Sequence, residues 1–272
     1  MAEDPLLAPP TADRLTARLA TRWLGRAYEW RDVCASTSDL AAARGRAGAP
    51  AGFVVAADAQ TAGRGRLGRR WHSPAGESLY LSLLLRPSRP PVEVPPITLL
   101  VGGAIAEAIA ALGVTPRLKW PNDVELVEAD GRRRKLAGIL TEMSSAGERV
   151  EQVVVGIGIN VNGTEFPDDI AARATSLRRA LGRPLDRAEV LAAVLSALEA
   201  RCDDFDRRGP SAAVEAFAPW AAFPDRCRVA APGAPGGAIE GVALGLDPDG
   251  ALRFQDDGGT LHRVISGEVL PT

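Results

Sequence analysis

The local sequence pattern changes near residue 222, and this change constrains the fold more than any other feature of the chain. Before it, segments with the two-residue period of strands alternate with segments of helical period. After it, residues 226–270 hold four short apolar runs divided by the turn-forming segments PGAPGG, DPDG and DDGG. We therefore predict an N-terminal helical extension at 1–27, a domain of mixed helices and strands at 28–221, and a small β-barrel at 222–272.

Hydrophobic periodicity places the individual elements of the larger domain. Strands are predicted at 53–58, 78–86, 118–120, 135–142 and 150–161, and helices at 11–24, 97–112, 187–208 and 211–220. The most apolar of these segments, 97–112, is interrupted by Gly102 and Gly103 and contains Glu107. It is therefore predicted to be a buried core helix and not a membrane span.

Net charge and cysteine content argue against several classes of protein. The formal net charge of -2 gives no general attraction to nucleic acid or to an anionic membrane. Cys34, Cys202 and Cys227 are widely spaced, and with only two histidines they form no recognisable zinc motif. A reduced, cytoplasmic protein is expected, also because the first ten residues lack the basic start and apolar core of a secretion signal.

Lysine and asparagine are scarce, and the few that remain lie in short polar motifs. Of the 32 cationic residues only Lys119 and Lys135 are lysines, and the only asparagines are Asn122, Asn160 and Asn162. Arginine can replace lysine at most surface positions, but not where a compact ammonium is required. The scarce residues therefore indicate an active site, with an ordinary surface position as the alternative for Lys135.

The most distinctive motif is a glycine-arginine loop with the sequence AQTAGRGRLGRRW at residues 59–71. Its glycines spell the G-x-G-x-x-G fingerprint of dinucleotide-binding proteins, but that fingerprint must open a helix, whereas this loop leads into the strand predicted at 78–86. Glycine lets backbone amides approach a ligand, and arginine forks bind phosphate or carboxylate. We predict an anion-binding loop. A solvated Arg-Gly segment of the RNA-binding type is disfavoured, because the motif occurs once and between strands.

Two further motifs suit a nucleotide or a flat ligand. In KWPND, residues 119–123, the proline favours a turn that gathers an ammonium, an amide and a carboxylate, as a triphosphate with Mg²⁺ would require. An ordinary capped turn is the alternative. In the strand predicted at 150–161, Gly156, Gly158 and Asn160 share one face and leave a slot over the sheet. A bulge or a closely packed helix would explain the same glycines.

Together these motifs resemble those of the biotin protein ligase family, in particular of members without a DNA-binding domain. The resemblance covers residues 30–270 and rests on GRGRLGRRW, KWPND, KLAGIL at 135–140 and GIGIN at 156–160. It implies an α+β protein, with a mixed sheet backed by helices as in class II tRNA synthetases, followed by an SH3-like β-barrel. It also implies that ATP and biotin, with Mg²⁺, form biotinyl-5′-AMP, and that biotin then passes to a lysine of a biotin carboxyl carrier domain.

The resemblance also implies roles for individual residues. Biotin binding is expected for Ser36, Thr37, Ser38, Gln60, Gly63, Arg64, Gly65, Arg66, Lys135, Gly138, Gly156 and Gly158, and ATP binding for Arg69, Trp71, Lys119, Asn122, Asp123 and Asn160. Lys135, Arg66 and Lys119 are the expected catalytic residues, and Asp123 is the expected metal ligand. Position 38 departs from the family, which usually has asparagine there, and without the resemblance residues 36–39 would be interpreted as a helix N-cap.

Other functions stay open on the sequence alone. Lipoate ligases share the fold and the two-step chemistry, but the Gly-Gly-Gly loop with a His-Asp pair that marks them is not found here. A nucleic-acid-binding regulator would use the arginine loop and the three arginines at 132–134, although the net charge argues against DNA as a partner. An inactive biotin-binding relative is a third alternative. No membrane partner is expected, and a weak homodimer through sheet edges is left open.

Overall fold

The larger part of the fold is a seven-stranded mixed sheet, in a computed structural model that describes residues 6–231 and 237–271. The strands are β1 (Tyr28–Cys34), β2 (Val54–Gln60), β3 (Leu79–Leu85), β4 (Pro116–Lys119), β5 (Asp123–Val127), β6 (Arg133–Ala146) and β7 (Arg149–Ile159). Their order across the sheet is β1-β2-β3-β7-β6-β5-β4. β1 and β2 run parallel, and each of the other neighbouring pairs is antiparallel, so the expected mixed sheet is confirmed.

Helices pack on this sheet from both sides. The helices of the described residues are α1 (Ala12–Thr16), α2 (Thr37–Arg46), α3 (Ile97–Ala110), α4 (Asp168–Ala171), α5 (Leu177–Leu181), α6 (Arg187–Arg208) and α7 (Pro210–Phe217). α3, α6 and α7 pack against one another and enclose the main core, whereas α2 packs on β2, β3 and β7 over a smaller cluster that includes Phe53, Val55 and Leu84. Cover on both faces explains why all seven residues of β3, including Ser82, are buried.

The predicted elements of this region are present with ends that shift by a few residues, apart from the helix predicted at 11–24. That prediction was wrong beyond residue 16, where α1 ends. The backbone N–H groups of Arg22, Trp23 and Leu24 instead donate to the carboxylate of Glu199 on α6, at 2.8–3.0 Å. Because one buried carboxylate satisfies three successive donors, the segment is anchored without helical hydrogen bonds.

The apolar helix α3 belongs to the core. The segment Pro91–Ala110 is long and apolar enough to cross a bilayer, with a mean hydropathy of 1.5, but 72% of it is buried inside the fold. Gly103 of this helix lies so close to Ala216 of α7 that a Cβ would be 2.6 Å from the carbonyl carbon. Gly103 therefore permits close packing of α3 on α7, as expected for a core helix.

The C-terminal region forms a separate five-stranded antiparallel sheet. Its strands are β8 (Cys227–Ala230), β9 (Ile239–Leu246), β10 (Leu252–Asp256), β11 (Leu261–Val264) and β12 (Glu268–Pro271), in the order β11-β10-β9-β8-β12. It contacts the larger region where Trp120 Nε1 donates to the Gly250 carbonyl at 3.2 Å. An SH3-like barrel is a finer statement than this pairing and stays a prediction, as do the domain boundaries, and all but the last residue of the PGAPGG turn lies outside the described residues.

Candidate active site

Two neighbouring pockets open on one side of the mixed sheet. The smaller, of about 460 Å³, lies over β6 and β7 beside the N-terminus of α2. The larger, of about 1260 Å³, extends over β5 and the chain that follows β7, as far as Glu268 on β12. Five residues line both pockets: Gly65, Arg66, Trp71, Asn122 and Lys135. A ligand in one pocket can therefore meet a ligand in the other at this junction.

The closed end of the smaller pocket is a network of neutral hydrogen-bonding groups. Thr37 Oγ1 and Ser38 Oγ lie 2.8 Å and 3.1 Å from Ser82 Oγ. The side-chain oxygen Oε1 of Gln60 accepts from the Thr37 backbone N–H at 2.9 Å. Ser36 stands at the N-cap position of α2, but its side chain makes no capping hydrogen bond. The cluster at 36–38 therefore begins α2, as an N-cap cluster does, but its side chains line the pocket and do not cap the helix.

A cross-strand pair of glycines forms the floor near the junction. Gly138 of β6 is paired with Gly158 of β7, and the Trp71 indole lies flat over both. A Cβ on Gly138 would be 2.8 Å from Cζ3 of that indole. The glycines thus make room for an aromatic ring on the sheet surface. The Trp71 Nε1 group is buried and has no hydrogen-bond partner among the described residues.

Lys135 is the charged group at the centre of the junction. Its Nζ donates to Asp123 Oδ1 at 2.5 Å and lies 5.4 Å from the centre of the Trp71 ring. Its backbone is held from the other side, because its N–H donates to the Arg173 carbonyl at 2.7 Å and its carbonyl accepts from the Thr175 N–H at 3.0 Å. A carboxylate, a ring and two backbone hydrogen bonds therefore place one ammonium between the pockets.

KWPND forms the hairpin between β4 and β5, with a cis peptide bond between Trp120 and Pro121. The Asn122 side chain donates to the Ile139 carbonyl at 3.0 Å and accepts from Arg66 Nη1 at 3.0 Å. Lys119 and Asp123 are paired across the hairpin and both line the larger pocket. The ammonium, amide and carboxylate are thus gathered as predicted, with Asn122 fastening the arginine loop to β6.

The glycine-arginine loop lies across the open side of both pockets. Leu67 and Gly68 at its tip have φ values of 57° and 72°, the left-handed conformation that is unfavourable for leucine. Behind the tip, Arg66 Nη2 donates to the Gly267 carbonyl at 3.1 Å, and Arg69 pairs with the Glu268 carboxylate at 2.6 Å. Glu268 is largely buried, and the Arg69 guanidinium holds the pKa of this carboxyl below its usual range. The C-terminal domain therefore fixes the position of the glycine-arginine loop, which belongs to the larger domain.

Glu125 is a second carboxylate in the larger pocket. It lies two residues after Asp123 on β5, so both side chains point to the same face of the strand. Burial raises the pKa of Glu125, and nearby Lys119 and Arg133 lower it to a smaller extent. Burial outweighs these cations in its effect on the pKa, so a further cation bound there would stabilise the charged form.

The structure brings nearly all the predicted site residues to these pockets. The smaller pocket is lined by Ser36, Thr37, Ser38, Gln60, Arg64, Gly65, Arg66, Lys135, Gly138, Gly156 and Gly158, and the larger by Arg69, Trp71, Lys119, Asn122, Asp123 and Asn160. Gly63 lines neither pocket. Its carbonyl accepts from the Trp71 N–H at 2.9 Å and so helps to close the base of the loop. Asn160 uses its side-chain amide to donate to the Thr175 carbonyl at 2.9 Å, so it also has a structural contact.

Several residues in or directly behind the pocket walls were not predicted from the sequence. Ser82, at the centre of the hydroxyl network, is the one polar residue among the leucines of the buried strand LYLSLLL apart from a tyrosine, and that isolated position could have revealed it. His72 also lines the larger pocket. Glu125, Arg133, Arg173 and Glu268 also line that pocket. For Glu268 the sequence offers no indication, because the residue is 199 positions from the arginine that it contacts.

Two family models match the chain. Residues 31–160 match the Biotin/lipoate A/B protein ligase family, and residues 227–270 match the Biotin protein ligase C terminal domain. Among curated relatives, the bifunctional ligase/repressor BirA of Bacillus subtilis is 37% identical over 257 residues, which cover 92% of this chain and 76% of that protein. The biotin–[acetyl-CoA-carboxylase] ligase of Mycobacterium tuberculosis is 35% identical over 275 residues, which cover 97% of each chain.

Solved structures agree with these relatives. The biotin protein ligase from Aquifex aeolicus in complex with biotin and ATP superposes with a TM-score of 0.74 and 30% identity, over 90% of this chain and 97% of that chain. A point mutant of the A. aeolicus ligase in complex with biotin superposes with a TM-score of 0.73 and 30% identity, over 90% of this chain and 98% of that chain. The relatives align with nearly the whole chain, and the solved structures share its fold. The chain therefore belongs to the biotin protein ligase family.

Proposed function

We propose that the two pockets divide the ligase reaction between them, with biotin in the smaller pocket and ATP in the larger. The enzyme activates biotin to biotinyl-5′-AMP with ATP and transfers the biotinyl group to a lysine. The observation that carries the assignment of the pockets is the junction, where Arg66, Lys135 and Asn122 line both cavities. The reacting carboxylate and α-phosphate have to meet at one place, and these are the residues that could face both.

The smaller pocket suits biotin because its polarity is uneven. Its closed end carries the hydroxyls of Thr37 and Ser38, which hydrogen-bond to Ser82 behind them and can donate to and accept from a neutral urea-like ring. Its middle is lined by Leu140, the bare surface of Gly156 and the Trp71 ring, which suit an apolar chain. Its open end reaches the ammonium of Lys135, which suits a carboxylate. A molecule with a ureido ring, an aliphatic chain and a terminal acid matches this order of groups.

Positive charge at the junction is the main catalytic device in this proposal. A carboxylate that attacks a phosphate is repelled by the charge already there, and cationic groups fixed where new charge develops lower that barrier. Lys135 and Arg66 lie at the junction, and Lys119 faces the larger pocket. As the carboxylate oxygen forms a bond to the α-phosphorus, the bond to pyrophosphate breaks, and these cations stabilise the charge that moves onto the leaving group.

A Mg²⁺ ion accompanying ATP fits the donor set on β5. Among the described residues no group of three or more His, Cys, Asp and Glu side chains is arranged to hold a metal by itself. Mg²⁺ needs less than that, since it commonly binds one or two carboxylates together with water and substrate phosphates. Asp123 and the largely buried Glu125 would be the protein ligands. When bound, the ion would supply further charge neutralisation at the phosphates.

The acceptor in this proposal is a lysine of a biotin carboxyl carrier domain, whose amine attacks the acyl carbon of the adenylate and releases AMP. The M. tuberculosis relative is named for ligation to acetyl-CoA carboxylase, which supports a carboxylase as the source of that domain. We place the reaction in the cytoplasm, where the three unpaired cysteines would stay reduced. Weak pairing of two copies through an edge strand such as β1 stays a hypothesis.

Exchange of labelled pyrophosphate into ATP tests the first half-reaction without an acceptor. Exchange that depends on biotin is the expected result. Exchange that depends on lipoate would move the enzyme to the lipoate ligases within the wider family. Biotin binding without exchange would refute the proposed reaction and leave a biotin-binding protein. A carrier domain with its lysine changed to arginine is the control for the transfer step.

A further inference from the structure

The first arginine of the glycine-arginine loop joins the two sides of the smaller pocket. Arg64 Nη2 lies 2.9 Å from Asp39 Oδ1 and 2.8 Å from Glu142 Oε2. Asp39 is in the first turn of α2, directly after the hydroxyl cluster at 36–38. Glu142 is on β6, four residues beyond the floor glycine Gly138. One guanidinium thus joins α2 to β6 at the wall of the smaller pocket.

Strand geometry explains why Glu142 stands at the edge of the pocket. Gly138, Leu140 and Glu142 alternate along β6 and share one face, since the register with β7 is regular over these positions. Gly138 and Leu140 line the pocket, so Glu142 is the next residue on that face, beyond its rim. The partner of Arg64 is therefore fixed by the same strand that makes the pocket floor.

Arg64 differs from the other arginines of the loop in what a substrate would do to its contacts. Arg66 and Arg69 line the larger pocket, so ATP phosphates would compete with the groups they now contact. Arg64 lines the smaller pocket and not the larger one. The carboxylate of biotin would lie at the opposite end, near Lys135. The contacts of Arg64 with Asp39 and Glu142 can therefore persist while both substrates are bound.

We propose that Asp39 and Glu142 are positioning residues that hold the glycine-arginine loop closed through Arg64, and that they set how long biotinyl-5′-AMP is retained. The inference rests on the proposed function, because it assigns the adenylate to this site. Both carboxylates and the guanidinium are partly exposed, between 42% and 62%, so each contact is of the modest, salt-sensitive kind. Removing the charge of either carboxylate should speed the release of biotinyl-5′-AMP and leave the fold intact.

The test measures the release of labelled biotinyl-5′-AMP that is added to purified enzyme and chased with unlabelled adenylate. Asp39→Asn and Glu142→Gln should each raise the dissociation rate about two- to fivefold, as expected for partly exposed ion pairs. The double variant should be faster than either single variant. Wild-type release should accelerate with ionic strength, and the double variant should lose most of that dependence. Asp39→Glu, which keeps the charge, should restore slow release.

Glu107→Gln is the matched control, because Glu107 forms a partly exposed pair with Arg201 at 2.8 Å, between α3 and α6 and outside both pockets. Its release rate should equal that of the wild type. Unchanged release and unchanged salt dependence in the double variant would overturn the role of the two carboxylates. Because the adenylate is supplied, that outcome is distinct from a failure of the proposed function, which would show as absent pyrophosphate exchange in the wild-type enzyme.

Discussion

The indole of Trp71 rests on Gly158 so closely that a Cβ at that position would lie 2.5 Å from Nε1. No hydrogen bond to a described residue fixes the ring, since Nε1 has no partner. Its position is set by the flat glycine surface beneath it and by the ammonium of Lys135, 5.4 Å from the ring centre. The absence of a side chain at Gly158 is therefore what places an aromatic surface between the two pockets.

Gly158→Ala should displace the indole and impair the reaction. Side chains forced into a packed site typically cost about 1–3 kcal/mol, and Trp71 lines both pockets, so a displaced ring changes the substrate space. We expect kcat/KM for biotin-dependent pyrophosphate exchange to fall at least about tenfold. Gly102→Ala is the control, because the new Cβ would be no closer than 3.6 Å to any neighbour. Equal activity of the two variants would contradict the packing argument.

Lys135→Arg should largely abolish adenylate formation while the protein stays folded. A planar guanidinium cannot occupy the compact position of an ammonium that lies 2.5 Å from Asp123 Oδ1 and packs against the indole. Loss of one well-placed charge-stabilising donor typically costs about 100-fold or more in rate. Pyrophosphate exchange and thermal unfolding should be measured together. Near-normal exchange would remove Lys135 from the catalytic set and weaken the argument from lysine scarcity.

Arg66→Gly should release the adenylate early. The substitution removes hydrogen bonds from the guanidinium to Asn122 Oδ1 and the Gly267 carbonyl. The guanidinium that makes them is partly buried, and this burial lowers its pKa. Hydrogen bonds to charged groups contribute about 1.5–3 kcal/mol, so release should accelerate about tenfold or more. Free adenylate would then label lysines of a bystander protein such as serum albumin. Labelling that stays confined to the carrier domain would argue against this role.

Glu125→Gln should stabilise the substrate-free enzyme at neutral pH and have no such effect in acid. Burial raises the pKa of Glu125 above the ordinary value of 4.5, so the folded state holds a proton that the unfolded state releases. The stability supplied by that proton is present below pH 4.5 and is lost as the pH rises through the folded-state pKa. Denaturant unfolding at both ends of this window tests the sign. The exposed Glu148→Gln should show no gain at either pH.

Where the local pattern of the chain decides the structure, the sequence was sufficient. The alternation along β7 correctly put Gly156 and Gly158 on one face, and the helix predicted at 187–208 is α6, residue for residue. A strand or a long amphipathic helix carries its period in its own residues, whatever surrounds it. The order of short motifs needed for the family resemblance is local information of the same kind.

Where a distant residue decides the structure, local pattern failed. The segment 17–24 has helical spacing of apolar residues, but Glu199 takes its backbone donors. The partner of Arg69 is Glu268 in another domain, and the indole that covers Gly158 comes from a loop some way along the chain. Each of these contacts depends on tertiary packing, which overrides local preference and leaves no periodic trace in the sequence.

The hold of the small domain on the loop has a consequence for how the enzyme is made. A ribosome releases the loop arginines long before β12, and early domains fold first. Until Gly267 and Glu268 emerge, Arg66 and Arg69 lack the contacts that fix them in the finished protein. A nascent chain could therefore fold the whole mixed sheet, with the glycine floor of the site, before the loop gains its contacts with β12. Maturation of the site would then wait for the synthesis of Gly267 and Glu268.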